Sequence, residues 1–152
     1  MLENITEANA PVFNDLVQKY EEEFALITGK KPEADGKYSL DSDWRAPNVG
    51  FYWKMDGEVA GFAIKATAGS FSDITEFYIK PSHRGRKIGA AFASAIFDLY
   101  PGNWQVRQIE GADLAREFWR KTIDKYTNGN FFESQEKDPY WGEITCQRFQ
   151  NN

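Results

Sequence analysis

The chain is poor in the two residues that most often announce reactive chemistry. Of 152 residues, one is a cysteine, Cys146, and one a histidine, His83. A single cysteine excludes an internal disulfide framework and a cysteine-based zinc cage. A single histidine excludes a multi-histidine metal centre and argues against a Ser-His-Asp triad, so no metal is expected. No apolar run approaches the roughly 20 residues that span a bilayer. The opening residues MLENITEANA carry acids where a secretory leader has a basic region. No membrane association is expected, and a reducing cytoplasm is the expected setting. Acids outnumber bases, for a net charge of −5, which argues against a general nucleic-acid binder.

What is abundant is apolar and aromatic. Hydrophobic residues make up 41% and aromatic residues 16%, too much for a disordered tail. The length suits one domain over 1–152, large enough to bury a core without staples. The charge is uneven: residues 1–76 sum to −7 and residues 77–152 to +2. Between Glu76 and Asp98 there is no acid, while Lys80, His83, Arg84, Arg86 and Lys87 lie there. Such a stretch is either a solvated turn or a local anion site.

Periodicity outlines the elements. Leu2 to Thr6 reads as a short strand. Asn9 is placed to cap a helix from about Ala10 to Thr28, with Pro11 in its first turn and Gly29 closing it. Residues 30–47 are polar and read as a loop. VGFYWKM and EVAGFAIKATA flank Asp56-Gly57, a hairpin signal. After a turn at Gly69 to Ser72, a strand runs from Asp73 to Lys80 and stops at Pro81. Ile88, Ala91, Phe92, Ala95, Ile96 and Leu99 form a helical stripe, then Trp104 to Ile109 reads as a strand. A second stripe runs from Leu114 to Tyr126, and two strands follow near Phe131–Gln135 and Trp141–Phe149. Helices interleaved with strands in this order predict a mixed α/β (α+β) sheet with helices on both faces.

The informative segment is ITEFYIKPSHRGRKIGAAFASAIFDLY. A strand ends at Pro81, a basic glycine-containing turn follows, and a helix opens near Ile88. This directs backbone N–H groups and the positive end of the helix dipole to one place, suited to a pyrophosphate. It is neither a Walker loop nor a dinucleotide G-x-G-x-x-G fingerprint.

At these residues the chain resembles the GNAT superfamily of acyl-CoA-dependent N-acetyltransferases, whose loop reads Arg/Gln-x-x-Gly-x-Gly/Ala after a strand like L-Y-V-x-P. Phe77-Tyr78-Ile79-Lys80-Pro81 matches the strand. Arg84-Gly85-Arg86-Lys87-Ile88-Gly89-Ala90 matches the loop, with Lys87 where the first glycine is usual. GADLAREFWRKTI is similar to the family's N-x-x-A-x-x-F-Y helix, with Ala115 and Phe118 in place, Ala112 for asparagine and Trp119 for tyrosine. The likeness spans roughly residues 58–126. Features of the form E-F-x-I, P-G-x-W and F-W-R-K also resemble a bacterial subgroup.

The resemblance implies a twisted, mostly antiparallel sheet of six to seven strands, split by a cofactor cleft. It implies acetyl-CoA as acyl donor, lying between the Asp73–Lys80 and Trp104–Ile109 strands. Backbone groups of Phe77, Tyr78 and Ile79 would hold the pantetheine arm, and an N–H near Tyr78 would polarise the thioester. Residues 84–90 would take the pyrophosphate, and Ala115, Phe118 and Trp119 would flank the cofactor. An acidic side chain at Gly89 is expected to oppose phosphate while leaving the fold intact. The acceptor is a primary amine that attacks directly in a ternary complex.

An ammonium must first lose a proton. Asp73 and Glu76 are the candidate bases, and Glu76 is preferred because it adjoins Phe77-Tyr78. Alternation puts the two on opposite faces unless a bulge intervenes. Trp119 cannot supply the phenol that protonates the leaving thiolate in relatives; Tyr78, Tyr38 and Tyr126 are the other phenols. Cys146 reads as a buried structural thiol and His83 as an exposed loop residue. Glu21-Glu22-Glu23 is a solvated run unless its helix walls the acceptor pocket. Tyr20, Phe24, Trp44, Phe51 and Trp53 would then line the same pocket. The acidic N-terminal half favours a cationic small-molecule amine, and the resemblance leaves room for a homodimer. Three alternatives stand beside this reading: a weak or inactive acyl-CoA-binding module, a protein or peptide N-acetyltransferase, and an interaction protein in which the basic turn merely caps a helix.

Overall fold

The computed structural model describes residues 1–152. Its strands are β1 (Leu2–Asn4), β2 (Val49–Met55), β3 (Glu58–Ala68), β4 (Phe71–Ile79), β5 (Gly102–Ile109), β6 (Phe132–Asp138) and β7 (Gly142–Asn151). Its helices are α1 (Ala10–Thr28), α2 (Ile88–Leu99) and α3 (Asp113–Thr127). The seven strands form one open sheet in the order β1-β2-β3-β4-β5-β7-β6. Every neighbouring pair is antiparallel except β4 and β5, which run parallel. The mixed α/β architecture, mostly antiparallel with helices on both faces, is the expected one.

Strand alternation sorts the core into two layers. Tyr52, Phe62, Ile64 and Tyr78 pack under Phe13, Leu16 and Val17 of α1. Their neighbours Phe51, Ala63, Ile74 and Ile79 face the other way, onto Ile88, Phe92 and Ile96 of α2 and onto Trp119 and Ile123 of α3.

Several local details differ from the sequence expectation. Asn9 does not cap α1 with its side chain. Its Oδ1 accepts from Thr6 N at 2.7 Å and its Nδ2 donates to Asn4 O at 2.9 Å, closing the turn before the helix. A free amide of the first helical turn is met from the sheet instead: Phe13 N donates to the Tyr52 hydroxyl at 3.0 Å, and that hydroxyl donates to Asn9 O at 2.7 Å. Gly29 closes α1 as expected, at φ 73° with its N–H on Ala25 O at 2.8 Å. The turn after β3 is tighter than expected, because Gly69 adopts φ 63° and Phe71 already pairs with Ala68. β5 also starts earlier, with Gly102 opposite Asn151.

Two irregularities of β4 position the site. Glu76 lies opposite Ile64 and Ile74 opposite Lys65, so Thr75 is an extra residue with no partner in register. On its other edge β4 pairs with β5 only through Ser72–Trp104 and Asp73–Gln105. Beyond Asp73 the two strands separate, leaving the β4 edge at Phe77–Ile79 without a strand neighbour. No helix is long and apolar enough to cross a membrane.

Candidate active site

The bulge at Thr75 decides which side chains meet. Without it, Asp73 and Glu76 would project from opposite faces. With it, Glu76 shares the α1 face with its partner Ile64, and Asp73 lies on that same face. Both line a cavity of about 480 Å³ where β4 and β5 part. Tyr20, Glu21, Phe24 and Ile27 of α1 form one wall, and Asp41 and Ser42 of the connection to β2 close it. Arg107 and Ile109 of β5 and Asp138, Tyr140 and Trp141 at the β6–β7 turn form another. Phe77, Ala112, Ala115 and Trp119 line the side towards α3.

The two carboxylates differ in their partners. Asp73, 1% exposed, receives Arg107 Nε at 3.0 Å, Arg107 Nη2 at 2.7 Å and Gln105 Nε2 at 3.2 Å, all on Oδ2. Burial raises its pKa; Arg107, Gln105 and the Ile74 amide oppose the rise. Glu76, 9% exposed, has no cation in contact. The Tyr20 hydroxyl donates to its Oε2 at 2.5 Å. Burial pushes Glu76 up to about 7; the Tyr20 hydrogen bond works against the rise, while the charge of Glu21 adds to it. A buried carboxyl poised near neutrality, in a cavity, is suited to general-base work. Glu21 is also buried but bonds Lys30 Nζ at 3.1 Å.

The basic turn stands on the far side of β4. Pro81–His83 is a single 3-10 turn, Gly85 takes φ 80°, and α2 then opens. Lys87, where relatives carry glycine, has φ 62°, a left-handed conformation that costs a β-carbon about 1–2 kcal/mol. The position therefore selects for backbone shape, and this chain meets it with lysine. No side chain caps α2, so the amides of Ile88, Gly89 and Ala90 in its first turn keep their N–H groups for an anion. Arg86 and Lys87 are exposed. These features fit the diphosphate of an acyl-CoA, as does the free β4 edge beside them.

Three expectations about this region need correction. Arg84, expected among the residues taking the pyrophosphate, has its side chain committed within the protein: its Nε donates to Ile79 O at 2.8 Å, and its guanidinium pairs with Glu23 of α1 at 2.9 Å. Gly89 is not free to vary without touching the fold, since an added Cβ would lie 2.9 Å from Phe118 Cε1. The phenol of Tyr78 does not face the cavity. Its ring packs on Tyr20 and Phe62, and Arg84 lies over it at 5.5 Å.

On α3, Ala115 and Trp119 line the cavity. Phe118 stacks on Phe77 at 5.6 Å between ring centroids, and Trp119 meets Phe77 edge-on at 4.9 Å. Tyr126 is spent elsewhere, donating to Asp98 Oδ1 at 2.6 Å. Cys146 is fully buried and its thiol is pushed up to about 11 by burial, which leaves it inert. Tyr20 and Phe24 line the cavity, whereas Phe51, Trp53 and Trp44 pack in or against the core, the stronger expectation for most of these aromatic residues. Sequence reasoning missed Arg107, the Asp41-Ser42 step and the Tyr140-Trp141 tip. Only long-range pairing brings these to β4, and no local signal marks them.

Comparison with known proteins agrees with this geometry. The fold matches the ribosomal-protein-S18-alanine N-acetyltransferase of Escherichia coli with TM-score 0.64 at 11% identity, over 100% of this chain and 94% of that one. It matches a Bacillus subtilis acetyltransferase solved in complex with CoA at TM-score 0.62 and 10% identity, over 99% and 98% of the two chains. It matches the IAA acetyltransferase of Bacillus cereus at TM-score 0.61 and 12% identity, again over 99% and 98%. At such identities the likeness establishes the fold. Among curated proteins no sequence match is found. The sequence profile of the acetyltransferase (GNAT) family aligns with residues 13–121, a span that takes in α1, the bulged strand, the basic turn and most of α3. By that match, with the split sheet and uncapped α2 it encloses, the chain belongs to the GNAT family and is an acetyltransferase.

Proposed function

We propose that the protein transfers an acetyl group from acetyl-CoA to the primary amine of a small cationic molecule, by direct attack in a ternary complex, with Glu76 as the general base. The observation that carries this reading is a buried carboxyl without a cation partner, in a cavity that opens at the split between β4 and β5.

The donor side rests on groups already described. The free amides of Ile88, Gly89 and Ala90, with Gly85, Arg86 and Lys87 around them, hold the diphosphate. The unpaired β4 edge at Phe77–Ile79 takes the pantetheine arm as a strand would. The Tyr78 amide polarises the thioester carbonyl, and Ala115, Phe118 and Trp119 form the opposite wall. Arg84 contributes by anchoring the end of β4 to α1. On the acceptor side, the Glu76 carboxylate takes a proton from the ammonium. The nitrogen lone pair then forms the amide bond as the carbon–sulfur bond breaks. The sulfur leaves as thiolate and takes up, through water, the second proton that the acylated nitrogen sheds as the amide forms, so no side-chain phenol is required where Trp119 stands.

Electrostatics selects the acceptor. Glu21, Asp41, Asp73, Glu76 and Asp138 line the cavity, and Arg107 is the one base among the lining residues. Arg107 is committed to Asp73, and Lys30 to Glu21. The remaining field is negative and attracts a cation. Acetyl-CoA is a cytoplasmic metabolite, so the reading also sets the enzyme there.

Thiol release from acetyl-CoA, followed with a panel of amines, tests the proposal. Diamines and polyamines should be turned over with kcat/KM at least about tenfold above that for glutamate, whose carboxylates the cavity repels. Tight acetyl-CoA binding without amine-dependent thiol release would instead favour a binding module.

A further inference from the structure

The Tyr20–Glu76 contact carries a consequence for the reaction. Tyr20 is reached from α1, 56 positions earlier in the chain, and its hydroxyl lies 2.5 Å from Glu76 Oε2. Its ring is fixed on three sides, edge-on to Phe62 at 5.4 Å, edge-on to Tyr78 at 5.8 Å and stacked on Phe24 at 6.1 Å. The phenol therefore cannot swing away without disturbing the layer under α1. Burial first, and the nearby Glu76 charge second, raise the Tyr20 pKa well above its ordinary value. The hydroxyl accordingly stays protonated and acts as a donor. No buried side-chain oxygen or nitrogen of the protein is left without a partner. With Oε2 taken by Tyr20, the remaining acceptor capacity of the carboxylate turns to the cavity, where Ser42 faces it.

We propose that Tyr20 is the positioning residue of the active site: its hydroxyl holds one oxygen of Glu76 and so presents the other to the acceptor amine. This rests on the base role assigned to Glu76, but it makes a separate claim about the resting protein. With Tyr20 held on Oε2 and the Ser42 hydroxyl a weaker second donor, the carboxylate has one orientation, set chiefly by α1 rather than by the strand that carries the acid. The other charged or titratable groups facing Glu76 are Glu21 on α1, Asp41 on the connection, and Tyr78 and Asp73 on β4, the last with Arg107. None of these donates to Glu76. Removing the phenol oxygen withdraws a hydrogen bond that is stronger to the ionised carboxylate than to the neutral acid, which raises the proton affinity of the carboxyl.

The experiment needs no knowledge of the acceptor. The carboxyl carbon of Glu76 is followed by NMR in protein labelled with 13C-glutamate, the signal being assigned by its loss in Glu76→Gln. Tyr20→Phe retains the ring and its packing, and the Glu76 midpoint should move up by about one pH unit. Replacing Tyr20 with 3-fluorotyrosine, a stronger donor of nearly the same shape, should move it down; this variant decides the matter if Tyr20→Phe does not fold. An unmoved midpoint in both overturns the proposal. With any amine that the panel identifies, Tyr20→Phe should lower kcat about tenfold at pH values below the new midpoint, with KM little changed, and recover above it. A fall in kcat that is equal at all pH values, with the midpoint unmoved, would mean that Tyr20 is merely structural. Failure of the base role reads differently: Glu76→Gln would keep the wild-type pH–rate profile whatever the titration shows.

Discussion

Asp73 and Glu76 stand on one strand, on one face and in one cavity, and both are buried. Their neighbours make them unlike. Asp73 has a guanidinium and a carboxamide on a single oxygen, and its negative charge is answered where it sits. That ion pair joins β4 to β5 at the last point where the two strands are hydrogen-bonded, so it acts as a rivet at the apex of the split. Glu76 lies past the apex, where β5 has moved away, and its partners are neutral hydroxyls, Tyr20 first and Ser42 second. A neutral donor supports a carboxylate less than a cation does. The same acid chemistry thus yields a fastener at one position and, on the function proposed, a proton acceptor at the other, and the difference comes from where the strands part.

The largest test of this contrast is Glu76→Gln. If Glu76 alone does the proton work, kcat/KM should fall about 10²–10³-fold at pH values where the acceptor is an ammonium. The stability of the variant should move the other way. Burial raises the carboxyl from its ordinary 4.5 to about 7, so between those values the folded protein holds a proton that the unfolded chain has released. The stabilisation is fully present below the lower value and is lost as pH rises through the upper one. Its size is on the order of 3 kcal/mol. Glutamine has no such titration, so thermal unfolding should find the variant more stable than the wild type above pH 7, with the gap closing towards pH 5. A stabilised but disabled variant is the signature of a group held for function.

Much of this layout was legible beforehand. The elements follow from period and punctuation: Asp56-Gly57 turns the β2–β3 hairpin, Gly29 ends α1, and Pro81 ends β4. The basic turn could be read because its parts are neighbours in sequence. The expectation about the two carboxylates was conditional, since it depended on a bulge, and nothing in DITEF marks Thr75 as the extra residue. The bulge is set by pairing with β3, a tertiary matter. The pairings of Arg107 with Asp73, Tyr20 with Glu76 and Glu23 with Arg84 are out of reach for the same reason. They span 34, 56 and 61 positions, and no local pattern encodes such a meeting. Lys87 shows the opposite case: the departure from glycine was visible, while its physical meaning, a left-handed backbone, needed the structure.

Next in size is Arg107→Met. Removing the cation leaves Asp73 buried with only Gln105 and a backbone amide, and breaking a buried pair from one side costs about 3 kcal/mol. The Tm should fall by roughly 5–10 °C. Activity per folded molecule should stay within about threefold, since Arg107 answers Asp73 and not the acceptor. A loss of activity as deep as that of Glu76→Gln, in protein that remains folded, would break the contrast by placing the ion pair in the reaction.

Asp73→Asn is the smallest and most selective probe. The amide has nearly the shape of the acid and can still accept from Arg107 and Gln105, so geometry at the apex should persist. What is lost is the charge, and Arg107 is placed to tolerate that. Its side chain is 36% exposed, so water can share its solvation, and Glu136 and Asp138 are near enough to feel its field. The cost should therefore be about 1 kcal/mol, well below that of removing the arginine, because a partly exposed cation is cheaper to leave unpaired than a buried carboxylate. If Glu76 is the base, the acid limb of the pH–rate profile should not move. If Asp73→Asn instead erased that limb while Glu76→Gln kept it, the roles would be exchanged. The proton would then be taken at the apex by an acid whose pKa burial also raises but whose ionised form a cation and a carboxamide hold, so that protonation there forfeits a charge-assisted contact. That electrostatic cost is the reason to expect the limb to follow Glu76.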